Sequence, residues 1–265
     1  MNETLRDGAI AIFGFALLSN LLGQRTQHAI VHDLSYTARG GHLQARVYPR
    51  GMFGSLLGQA SSVRVTGSGV VVDALPFEIK PGGGMHATVG KFYLDLSDVK
   101  LKSIPVQRFT AEIPSVSVDS DALIMRERMV MRSAGVGTTE STFRISDLQT
   151  YFAAKMGGMK DASVECVDGG LKIRTSMSFL GFPTAIEAFG KLNAVDGRYL
   201  VFNASRLTFN GADANPLFAK SMLDSINPVL DIQRDLGLGA YLALTDVETK
   251  EGAVIVKSKL TIPAR

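Results

Sequence analysis

In 265 residues, 46% are hydrophobic and 20% charged, a balance that excludes a disordered chain and supports a sizeable buried core. The net charge of +3 comes from 28 Lys and Arg spread without a basic block, so the footprint of a dedicated nucleic-acid binder is missing. The single cysteine, Cys166, excludes an intramolecular disulfide and, set among Val164 and Val167, reads as a small hydrophobe rather than a reactive thiol.

The first element is the uncharged stretch Gly8 to Leu22, GAIAIFGFALLSNLL. As a helix it would be roughly 22 Å long, short of the ~30 Å of a bilayer core. Ile10, Phe13, Leu17 and Leu21 line one flank and Ile12, Phe15, Leu18 and Leu22 the next, so the helix needs apolar surroundings on most sides. A core, an interfacial lipid layer or a cavity shared with a lipid would each provide them. Glu3 and Asp7 in the leader, and the lack of a small-x-small site after Leu22, argue against a cleavable signal peptide. The helix is expected to continue to about His32, ahead of Gly40 and Gly41.

From there the dominant period is two. Leu43, Ala45 and Val47, then Val63 and Val65, alternate with polar residues and read as half-buried strands. Between them GMFGSLLG, 51 to 58, crowds Met52, Phe53, Leu56 and Leu57 into a glycine-bounded segment that would be an unusual patch if uncovered. Further strands carry Phe92, Leu94 and Leu96, then Phe109, Ala111 and Ile113, then Val116 and Val118. Pro105 and Pro114 place these at edges or bends. A short helix is expected from Ser146 to about Gly157, with Leu148, Tyr151, Phe152 and Met156 on its apolar face.

The clearest strand follows, with Leu171, Ile173, Met177 and Phe179 on one side, and Tyr199 to Phe209 is expected as its antiparallel neighbour. A third helix opens with Asn215 as N-cap and Pro216 at its first position, carries Phe218, Met222, Ile226 and Val229 along one flank, and kinks or ends near Pro228. Two strands around a turn at Glu251-Gly252 close the chain. Three helices and about ten strands without regular βα alternation indicate an α+β fold with mostly antiparallel sheet. Helix-then-strands occurs twice, the second time from near Ser146.

Motifs for chemistry are missing. His28 and His32 share a helix face at metal-ligand spacing, but HAIVHD lacks the zincin glutamate and a third ligand, so solvated or capping histidines are expected. Asp119 and Asp121 read as turn residues. No nucleophile elbow or phosphate loop occurs, and no cofactor is called for. Broad apolar helix faces against alternating strands suit either a filled core or an elongated cavity for acyl chains, whose burial contributes about 0.8 kcal/mol per methylene.

Five blocks stand out from Leu34 onward: VYPRGMFGSLLGQASSVRVTGSGVV at 47 to 71, STFRISDLQTYF at 141 to 152, VECVDGGLKIRTSM at 164 to 177, VDGRYLVFNASRLTFNG at 195 to 211, and the run from Ser221 to Leu260. In these blocks the chain resembles the LmeA-type bacterial phospholipid-binding family. The resemblance implies a TULIP-like architecture, a strongly twisted, mostly antiparallel sheet wrapped around a long helix with an apolar groove. The implied organisation is an N-terminal helix over 1–33, in the core or associated with a membrane, and a lipid-binding domain over 34–265 with two similar halves meeting near 146. The family offers no catalytic residues, so the expected function is non-enzymatic binding or transfer of a phospholipid or similar acyl-chain lipid at a bacterial membrane. Its members commonly have a more signal-like N-terminus, which leaves envelope and cytoplasmic face undecided. The lining expected from apolar faces is Phe13, Leu17, Leu21, Phe53, Leu56, Leu57, Phe152, Met156, Phe218, Met222 and Ile226. The expected partners are lipid and a membrane surface, with no nucleic acid and any protein partner left open. The alternative is a membrane-anchored interaction module without a cavity. An envelope hydrolase would require a polar cluster that the sequence lacks.

Overall fold

The computed structural model describes residues 21–51, 54, 57–73, 78–80, 85–102, 104–155, 160–179, 182–236, 238, 241–250 and 252–262. The fold is α+β, with twisted, mostly antiparallel sheets and four helices among these residues. It divides into two compact units. The first comprises residues up to Ser97, Thr110–Thr138 and Leu260–Arg265; the second comprises Asp98–Phe109 and Thr139–Lys259.

In the first unit, helix α1 is described over 21–37, a turn or more beyond the expected end at His32. Ala29, Ile30 and Leu34 recur at one- and four-residue steps and are all buried. Short β1 (Ala38–Arg39) pairs antiparallel with β4 (Val71–Val72), while β2 (His42–Pro49) and β3 (Gln59–Ser68) form an antiparallel pair in which Val47 faces Val63. β3 runs parallel to β6 (His86–Leu101), with Val63 beside Phe92 and Val65 beside Leu94. The alternation read from the sequence thus puts Val63, Val65, Phe92, Leu94 and Leu96 on one buried face. Residues 109–118, read as two strands, belong to one, β7 (Ile104–Asp119). It lies between β6 and β9 (Gly137–Arg144), so Pro114 marks a bend rather than an edge, and Ser115 beside it takes a φ of 53°. β5 (Glu78–Ile79) and β7 both pair with β8 (Val130–Ser133).

Helix α2 (Ser120–Arg126) stands where the sequence suggested only a turn. Asp119 is its N-cap, its Oδ1 accepting from the Ala122 N–H at 2.8 Å, and Glu127 closes it in the left-handed region.

The second unit is built on an antiparallel meander, β10 (Lys160–Val167), β11 (Gly170–Phe179), β12 (Phe182–Val195), β13 (Tyr199–Phe209) and β14 (Ala212–Asp213). β12 corrects the expected pairing of the Leu171 strand with Tyr199–Phe209, because it pairs with both β11 and β13 and separates them. Along its inward positions Ala188 and Gly190 stand between Ile186 and Leu192, which weakens the alternating signal. At Gly190 the register against β13 shifts, and an added Cβ would lie 2.2 Å from the Asn203 carbonyl oxygen. Gly190→Ala is therefore expected to force the two strands apart and lower stability by about 1–3 kcal/mol, read as a depressed thermal midpoint.

Helix α3 (Ile145–Lys155) buries Leu148, and α4 (Pro216–Ile226) follows the expected Asn215 cap, whose side chain accepts from the Leu217 N–H. α4 ends at Ile226, just before Pro228, as the missing proline N–H requires. β15 (Leu230–Asp231) pairs with the start of β13, and β16 (Leu242–Lys250) and β17 (Ala253–Leu260) close the unit. No helix among the described residues is long and apolar enough to cross a membrane.

Candidate functional site: an apolar cavity in the first unit

A cavity of about 240 Å³ lies between α1, the inner face of β2, β3 and β6, and α2. α1 contributes Leu22, Gly23, Thr26 and Ile30, a single stripe at helical spacing in which Gly23 and Thr26 leave room that larger residues would fill. The strands contribute Val47, Ala60, Val63, Val89 and Phe92, and α2 with its flanks contributes Val118, Leu123, Ile124 and Met129. Leu57, Gly58, Gln59, Met85 and His86 also line it, and Leu57, Met85 and His86 are exposed, marking a mouth. His86 is the only titratable side chain among these lining residues.

Four polar contacts tie the surrounding walls together. Asp119, buried at the N-terminus of α2, also receives the guanidinium of Arg132, whose Nη1 donates to the Lys80 carbonyl at 3.0 Å. The Ala122 N–H and then Arg132 hold the Asp119 carboxyl below its ordinary range against the opposing effect of burial. The Ser120 N–H donates to the Met85 carbonyl at 3.0 Å, joining α2 to the mouth. On the other side, the Met129 N–H donates to Asp33 Oδ2 at 2.8 Å, tying α1 to the chain that leaves α2. Burial pushes the Asp33 carboxyl up, only partly offset by Met129 and Arg128. With the folded-state value raised, Asp33 favours the fold in its acid form. That contribution is present below its usual pKa of 3.8 and is lost as pH rises through the elevated value.

Of the residues expected to line a site, Leu57 borders this cavity, and Leu21, 55% exposed, precedes Leu22 of its wall. Phe13, Leu17, Phe53, Leu56 and Met156 lie outside the described residues, as does the side chain of Phe152 on α3. Phe218, Met222 and Ile226 belong to α4 in the second unit and do not line the cavity. There Phe218 meets Phe209 edge-on with ring centres 5.0 Å apart, Met222 is half-buried and Ile226 is buried. Val63 and Phe92 read from the sequence as strand residues but not as cavity lining, and Thr26 and Leu123 were not singled out at all. Their only signal was the inward phase of ordinary core residues, and α2 itself was unread.

The histidine pair and Cys166 do not line the cavity. His28 and His32 stack on α1 with ring centres 6.4 Å apart, and exposed His32 lies 3.7 Å from Glu127. Among the described residues no three His, Cys, Asp or Glu side chains group as metal ligands. Cys166 is half-buried on β10.

The cavity can therefore exclude water from an apolar group, and among its described lining residues His86 at the mouth is the one side chain able to take up or release a proton. Its volume exceeds the ~150 Å³ that admits benzene and falls just short of the ~300 Å³ at which drug-sized pockets begin. No protein-family model, curated protein or solved structure matches this chain.

Proposed function

We propose that this protein binds a phospholipid or similar acyl-chain lipid without chemical turnover, and that it carries or presents that lipid at a bacterial membrane. The observation behind this reading is the apolar cavity of about 240 Å³ with one titratable side chain, the exposed His86, in its described lining. Desolvating roughly eight methylenes would contribute about 6 kcal/mol before the cost of association, enough for a reversible carrier. The headgroup stays hydrated at the mouth beside Leu57, Met85 and His86. The resemblance to the LmeA-type family supports the same conclusion, with α1 taken as the helix that a TULIP-like sheet embraces.

The test is titration of the full chain with a fluorescent fatty-acid analogue in the absence of vesicles. Saturable uptake of one analogue per chain, displaced by phospholipid, is the expected result. Signal that never saturates would overturn the reading and favour an interaction module whose 8–22 segment serves only as an anchor.

A further inference from the structure

Three large apolar side chains stand out of the protein at or beside the cavity mouth: Leu21 is 55%, Leu57 67% and Met85 72% exposed. They come from three separate segments that the fold draws to one cavity, since Leu22, Leu57 and Met85 all line it. Backbone bonds fix two of these segments together, the Thr88 N–H donating to the Gly58 carbonyl at 2.8 Å. Exposing such residues from converging segments is costly unless something covers them.

Charge identifies the cover. Residues 8–73 hold five arginines and two acidic residues, Asp33 and Asp73, of which Asp73 pairs with Arg39. Two of those arginines sit on segments that line the cavity. Arg25 follows Leu21 by four positions on α1, and the Arg50 N–H donates to the carbonyl of Gln59, a lining residue. Both are exposed, and among the described residues neither guanidinium has a carboxylate partner. An apolar centre whose rim carries Arg25 and Arg50 against one exposed carboxylate, Asp121 next to lining Ser120, keeps an excess of positive charge and matches a surface that is apolar within and anionic at its face.

We propose that Leu21, Leu57 and Met85, flanked by Arg25 and Arg50, form the edge by which the protein docks on an anionic lipid bilayer, so that an acyl chain passes directly between membrane and cavity. This inference rests on the acyl-chain reading of the cavity. The apolar side chains enter the interfacial layer while the arginines meet lipid phosphates.

The full chain is to be sedimented with vesicles of phosphatidylcholine alone and of phosphatidylcholine with phosphatidylglycerol. Partitioning is expected to be stronger on the anionic vesicles and to weaken with added salt. Leu57→Ser combined with Met85→Ser should lower partitioning on both vesicles by about tenfold. Arg25→Gln combined with Arg50→Gln should remove at least about tenfold of the preference for anionic vesicles, with the vesicle-free analogue titration unchanged. Variants that fold, by circular dichroism, and still partition like the parent would overturn the docking edge even if the analogue binds. Failure of the parent to take up analogue would overturn its premise instead, whatever the vesicles show.

Discussion

Thr26→Trp is expected to abolish saturable uptake of the fatty-acid analogue, weakening it by at least about a hundredfold, in a protein that still folds. Thr26 lies midway along the α1 stripe between Leu22 and Ile30 and faces the cavity while remaining half-buried. Its hydroxyl donates to the Leu22 carbonyl at 2.8 Å, a local bond within the helix whose loss exposes no buried partner. An indole at this point would occupy space among Val63, Phe92 and Leu123 that the chain leaves open, so the cavity absorbs it without the overpacking cost of a filled core. The protein has no tryptophan of its own, which makes the new indole a sole reporter of its surroundings. Its emission should be blue-shifted as in an apolar site. Analogue affinity at the parental level alongside such an emission would place the binding site elsewhere.

Phe202→Ala should cost the second unit about 3–5 kcal/mol, a large part of the roughly 5–15 kcal/mol that holds a typical domain together. Phe202 is 1% exposed in the middle of β13, where its backbone pairs with Leu192 of β12. On its other edge, β15 reaches only Tyr199 and Leu200. The Asn227 side chain continues the ladder from there, its Oδ1 accepting from the Phe202 N–H at 2.9 Å and its Nδ2 donating to the Phe202 carbonyl at 3.0 Å. The ring is thus buried by packing while the backbone that carries it is hydrogen-bonded on both edges. Removing Asn227 alone leaves both backbone groups short of a partner, at about 1–3 kcal/mol. Urea unfolding monitored by circular dichroism reads both variants. A shift in Phe202→Ala below about 1 kcal/mol would mean that this part of the sheet is not a core at all.

Much of the fold was legible because strong local signals and tertiary packing agree. Asn215 and Pro216 announce α4, and the phase of Val63, Val65, Phe92 and Leu94 announces the buried face of β3 and β6. β12 was missed because Ala188 and Gly190 weaken its period and Pro183 argues against a strand. α2 was missed because seven residues hold only two turns, and Asp119 serves a turn or an N-cap equally well.

The candidate site was harder to read. Leu57 betrayed itself by crowding with other apolar residues between glycines, whereas Gly23 and Thr26 matter for the volume they do not occupy. Hydrophobic periodicity reports which side of an element faces inward. Whether the inside is filled depends on the summed volumes of residues distant in the chain, and no local pattern carries that sum.

The most direct test of lipid binding is native mass spectrometry of the full chain, purified without added lipid, with organic extraction and identification of whatever accompanies it. One acyl-chain lipid per chain is expected on the parent protein and the bare mass on Thr26→Trp. A folded parent that flies at its bare mass, and that takes up no phospholipid when supplied with it, would rule out a lipid-binding cavity.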